Sequence, residues 1–187
     1  MPLPLESLAV FPVVFGFTFL LRSLGLAYQE VVVTLLEEEG AYPTLQRFAF
    51  LLTGATTLVL VVVAATPLSR FFFESVAGLK PELAEMARKG LWISLLFPGL
   101  SVLKNWYQGI LVHRRQTRPI TESVVVFLGS CGLVLWVGAH WPQVVGLYVG
   151  LAAFSLGGVG QTGWVWWRSR SSPSATGLAQ EAVERAH

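Results

Sequence analysis

The sequence predicts an all-α protein, an integral membrane helical bundle of about five transmembrane helices. Composition is the first observation behind this. Hydrophobic residues make up 53% of the chain, charged residues 13%, and the mean hydropathy is +0.61. A soluble domain carries about 25% charged residues, and a globule this poor in charge cannot cover its surface with polar groups. The second observation is the length of the uncharged runs. Phe48–Ser69 and Ser123–Trp167 contain no Asp, Glu, Lys or Arg. A helix needs about 20 apolar residues to cross the hydrocarbon core, so the longer run holds two crossings with a turn between them. Backbone hydrogen bonding in lipid requires these spans to be helices.

The first span is Leu8–Leu36, long enough to tilt or kink, and it carries Arg22, Glu30 and Pro12. The acidic turn Glu37-Glu38-Glu39-Gly40 follows, then the second span, Phe48–Thr66. The segment Pro67–Lys89 is charged, with Phe71-Phe72-Phe73 expected at the membrane interface and a short helix over Pro81–Arg88. Pro81 suits the first turn of that helix, and Glu82, Glu85, Arg88 and Lys89 complement its dipole. The third span is Gly90–Val112, with Pro98 as a candidate kink. The fourth is Thr121–Gly138 and the fifth Val144–Trp167, ending in the anchor Trp164, Trp166 and Trp167. The bundle thus occupies residues 1–168, and 169–187 read as a disordered cytoplasmic tail with a little helix near Leu178–Arg185.

Short loops rich in Lys and Arg stay in the cytoplasm. The densest basic turn is His113–Pro119, which places the loop at His140 outside and the Arg168/Arg170 end inside. Met1 then lies outside, as does Pro67–Lys89 despite its four basic residues. The N-terminus has no basic region, so a cleaved signal peptide is not expected. The short loops suit a bacterial inner (cell) membrane.

Ionisable and amide side chains inside spans are the candidates for chemistry, because they are costly at membrane depth and face a cavity or a partner. Lys104 and Gln108 are one turn apart and share a face, with Asn105 beside them. Two readings stand for Lys104: it snorkels to the cytoplasmic face, or it lines a polar solute path. Arg22 and Glu30 are separated by about 12 Å of helical rise, too far to pair, so each seeks a partner on another helix. Glu30 has a second reading, in which it reaches the cytoplasmic interface. Gln161 and Thr162 interrupt the last span, either bonding to another helix or joining the path. Glycines crowd the same span, and Gly146, Gly150 and Gly157 are read as helix-packing positions, with Gly146 and Gly150 forming a GxxxG pair.

Several classes are excluded or unsupported. The single cysteine, Cys131, allows no disulfide within the chain. There is no HExxH, GxSxG, P-loop or CxxC, and His113, His140 and His187 have no metal-ligand spacing. No catalytic residue, metal or cofactor is expected, and the chain is not read as an enzyme. A basic patch with interleaved aromatics is absent, so nucleic acid is not an expected partner.

The stretch FPGLSVLKNWYQGILVHRRQT, Phe97–Thr117, resembles the tenth-helix region of progressive ankylosis proteins. These are relatives of the multidrug and toxin extrusion carriers and the lipid-linked sugar flippases. The pattern is Phe97-Pro98, a basic residue at Lys104 where the family has Arg, then Gly109, Arg114-Arg115 and Thr117. GLYVGLAAFSLGGVGQT, Gly146–Thr162, is similar to the family's last helix, with Gln161-Thr162 where the family has Glu-Ser. That change removes an acid on which proton coupling would depend. The resemblance spans Leu8–Arg170, and before Gly90 it rests on helix order.

Such carriers have twelve helices in two lobes, with the solute between them. The resemblance implies that this chain corresponds to helices eight to twelve, an incomplete six-helix lobe. It also implies a partial or split carrier that exports a polar or anionic solute by alternating access. A second membrane chain, or another copy of this one, would supply the rest. Pyrophosphate, citrate, nucleotides, drugs and lipid-linked sugars are the solutes the resemblance suggests. The alternatives are a non-transporting membrane scaffold or assembly subunit, and an inactive fragment of a carrier gene.

Overall fold

The computed structural model describes residues 4–38, 40–141 and 144–170. It is helical, with no strand among the described residues. Helix α1, Pro4–Leu35, runs through Pro12 as one element, and a turn containing Gly40 (φ 78°) leads to α2, Ala41–Ala65. A side chain is disfavoured at that positive φ. α2 begins well before Phe48 and takes Arg47 into its N-terminal half. A single turn, α3 (Leu68–Phe71), passes into a π-helical turn, Phe72–Val76, and α4 follows over Pro81–Ile93. Then come α5 (Leu96–His113), α6 (Arg118–Ala139) and α7 (Gly146–Arg170).

Among the described residues, three helices, α1, α2 and α6, are long and apolar enough to cross a membrane, which is the make-up of a membrane protein. α5 carries Ser101, Lys104, Asn105 and Gln108, all buried, because it is the central helix, packed against α1, α2 and α7. Protein surrounds it, so its sequence need not satisfy lipid on every face.

Three expectations change. The third span, Gly90–Val112, is not one helix: α4 ends at Ile93 and α5 begins at Leu96. Pro98 has no N–H, and its ring collides with the carbonyl four residues earlier, that of Ser94. The Phe97 N–H reaches the Ser94 carbonyl instead, at 3.0 Å. The aromatic run is not wholly interfacial either. Phe73 is fully buried and Phe72 packs on Phe17 with centroids 5.0 Å apart, leaving Phe71 exposed. Finally, α7 continues through Ser169 and Arg170, so helix replaces the first residues of the expected tail. Ser171–His187, with the helix expected near Leu178, lie outside the described residues, as do Met1, Glu39, Pro142 and Gln143.

Two apolar clusters hold the bundle. One gathers Val10, Val14, Leu60, Phe73, Leu91, Leu147 and Leu151. The other gathers Tyr28, Val32, Leu45, Ala49, Val102, Trp106 and Ile110. Along α1, Arg22 falls between them. Close approach of α1 to α5 depends on Gly25, where a Cβ would lie 3.2 Å from the Val102 backbone. Of the packing glycines expected on α7, Gly157 is tight against Cys131 and Phe127 of α6, while Gly150 faces only the ring of Phe11, 3.1 Å from a would-be Cβ. α6 packs chiefly on α7 and scarcely on α5.

Candidate functional site

The gap between α5 and α6 is a cavity. α5 starts afresh after the break at Ser94, and Phe97, Ser101, Lys104 and Gln108 recur on one face of it at helical spacing. That face, Arg22 from α1, Val124 and Phe127 from α6, and Phe154, Gln161 and Thr162 from α7 enclose about 310 Å³. This lies at the lower end of small-molecule sites, which run to about 1,000 Å³.

The cavity's charge is one-sided. Arg22 and Lys104 both line it, and no aspartate or glutamate does. Lys104 is 8% exposed, so it is buried against the cavity and does not extend to the end of the bundle. Neither cation forms an ion pair with a carboxylate among the described residues. The Arg22 guanidinium lies 5.3 Å from the centroid of the Phe97 ring, a cation–π contact, and its Nε is buried without a hydrogen-bond partner. Two uncompensated cations in a low-dielectric setting are costly unless a counter-charge joins them.

The polar lining divides into spent and unspent groups. Thr162 is spent: its hydroxyl donates to the Gly158 carbonyl at 2.7 Å and the Leu100 carbonyl at 3.3 Å, tying α7 to α5. Gln161 donates from Nε2 to the Ser123 hydroxyl at 3.4 Å, tying α7 to α6. Ser101 Oγ is buried and has no partner. On the apolar side Phe154 meets Phe15, Phe97 and Phe127 at centroid distances of 5.2, 6.2 and 5.7 Å. No family model matches the chain, and no curated protein and no solved structure does.

Of the residues expected on a solute path, the fold brings together Lys104, Gln108, Arg22 and Gln161. It does not bring Asn105 or Glu30. Asn105 is fully buried at the α1–α5 contact, its Nδ2 3.0 Å from where a Cβ on Gly25 would be. Successive helical residues are about 100° apart, so the neighbour of Lys104 faces a different helix. Glu30 is exposed on α1 and does not line the cavity. Sequence reading missed Ser101, whose i, i+3 relation to Lys104 was the available signal. Cys131 is buried, and its thiol donates to the Ala153 carbonyl at 3.3 Å. No cluster of metal-ligating side chains occurs among the described residues.

Proposed function

We propose that this chain is one part of a membrane carrier and that it binds a small anionic solute in the cavity between α5, α6 and α7. The observation that carries the reading is the pairing of Arg22 with Lys104 around one cavity that no carboxylate lines. Alternating access needs a second wall that moves against the first. A second membrane chain, or another copy of this one, supplies that wall. In this reading α5 and α7 also cross the bilayer, giving five crossings. The basic end at Arg114–Arg118 is cytoplasmic, the C-terminus is on the same side, and the membrane is a bacterial inner membrane.

The direct test is thermal unfolding of the purified chain in detergent, titrated with phosphate, citrate and, as a neutral control, glucose. A bound ligand stabilises by about 2.7 kcal/mol at a hundred times its dissociation constant. Saturable stabilisation by an anion and none by glucose is the expected result; equal or absent effects refute anion binding. Flux in proteoliposomes then separates a carrier from a subunit that binds and does not transport.

Orientation has its own test. In a Cys131→Ala background, Arg115→Cys should label only from the cytoplasmic side and His140→Cys only from outside, because the two residues flank opposite ends of α6. Reversed labelling inverts the topology, and labelling of both from one side refutes α6 as a crossing.

A further inference from the structure

The ends of α5, α6 and α7 meet in a basic corner. Arg114 and Arg115 follow α5, Arg118 opens α6, and Arg168 and Arg170 lie in the last turn of α7. Their contacts show that this is one place. Arg114 donates from Nη1 to the Ser169 carbonyl at 3.5 Å, while Arg168 and Arg118 approach Glu122 at 3.1 and 3.3 Å. Glu122 also accepts from the Trp164 indole at 3.3 Å, so this carboxylate is fully engaged. Arg114, Arg115 and Arg170 have no carboxylate partner among the described residues. The Nε of Arg114 is buried and lacks a hydrogen-bond partner, and burial lowers that group's pKa from its ordinary value. Arg170 stacks 4.5 Å over Trp166, and Trp166 and Trp167 are exposed beside it.

A second observation concerns the backbone. The Gln116 N–H reaches the Leu111 carbonyl at 2.9 Å and the Arg115 N–H reaches that of Val112 at 2.8 Å. This is a Schellman ending, which calls for glycine at the left-handed position. Arg115 occupies it at φ 55°, the only non-glycine with positive φ among the described residues. An arginine held where the backbone favours glycine marks a side chain kept for another purpose.

We propose that this corner holds the phosphate headgroup of an acidic phospholipid at the membrane surface. Guanidinium groups match phosphate oxygens in pairs, tryptophan rings sit at headgroup depth, and clustered arginines beside a span attract anionic lipid. The site rests on the membrane reading and not on solute carriage, since the arginines are separate from those lining the cavity.

Native mass spectrometry of the purified chain, titrated with phosphatidylglycerol, phosphatidylcholine of the same acyl chains and glycerol 3-phosphate, tests it. Phosphatidylglycerol should be retained about tenfold more tightly than phosphatidylcholine, and glycerol 3-phosphate hardly at all. Arg115→Gly should melt no lower than the parent, because it relieves the left-handed position, and yet lose about fivefold in phosphatidylglycerol affinity. Arg118→Gln should weaken retention in the same direction, whereas Arg70→Gln, at the other end of the bundle, should leave it unchanged. Equal retention of the two lipids, or an Arg115→Gly variant with the parent's preference, overturns the proposal. Glycerol 3-phosphate binding as tightly as phosphatidylglycerol overturns the lipid assignment in favour of a soluble anion. Each outcome is independent of whether citrate or phosphate binds the cavity.

Discussion

Lys104→Met is expected to weaken saturable anion binding in the cavity on the order of a hundredfold while the bundle remains folded. Methionine keeps much of the apolar length of lysine and removes the charge. In the unliganded protein that charge is buried near Arg22 with no carboxylate to offset it, so its removal should leave the melting temperature unchanged or raise it. In the liganded protein the same change removes a desolvated charge-assisted hydrogen bond, and truncating one partner of such a pair costs about 3 kcal/mol, on the order of a hundredfold in affinity. Lys104→Arg should retain part of the binding, because charge is kept and geometry is altered. Arg22→Met should act in the same direction. If both cations hold one anion, the double variant will lose less than the two single losses added together. Calorimetric titration with phosphate or citrate reads all four variants against the parent. Parent-like affinity in Lys104→Met would remove this lysine from the site and leave the cavity without a function.

The parts of this structure legible in the sequence are those governed by local pattern. α1, α2 and α6 are marked by apolar runs long enough to cross a membrane, and the shared face of Lys104 and Gln108 follows from helical geometry alone. What composition concealed was the break at Ser94. Pro98 was visible, but whether a proline bends a helix or ends it depends on whether neighbouring segments hold the freed carbonyl, and here the Phe97 amide does. The meeting of Arg22 with Lys104 was also out of reach, since it depends on the register of α1 against α5, which Gly25 sets by close backbone contact. Asn105, a candidate for the path, lies off the cavity for a related reason. Sequence proximity to Lys104 suggested a shared role, but one helical step turned it toward α1. Phe72 and Phe73 show the limit of reading aromatics as interfacial anchors, since Phe73 is fully buried and Phe72 packs on Phe17.

Gly157→Leu should detach the outermost helix and open the cavity. α6 relies on α7 for nearly all of its packing, and Gly157 is one of the points where the two helices approach closely. A Cβ there would lie 2.6 Å from the Cys131 sulfur and 3.0 Å from the Phe127 ring, distances that no side chain occupies without movement. Leucine adds three further carbons, and neither neighbour can retreat simply: Cys131 is buried against the Ala153 carbonyl and Phe127 against Phe154. The helices must part, at a cost of about 3 kcal/mol, the upper end of the usual overpacking range. Van der Waals contact between helices is a main source of association in a bilayer, so little replaces what is lost. Because Val124 and Phe127 form the α6 wall of the cavity, anion binding should fall together with stability. Gly129→Leu is the matched control, since nothing lies within 4 Å of a Cβ at that position, and its effect should stay within about 0.5 kcal/mol. The chain's single cysteine reports on the event directly. Cys131 should react slowly with a maleimide in the parent and in Gly129→Leu, and rapidly in Gly157→Leu. If it stays protected there, with an unchanged melting temperature, α6 does not pack on α7 through this glycine and the cavity has a different outer wall.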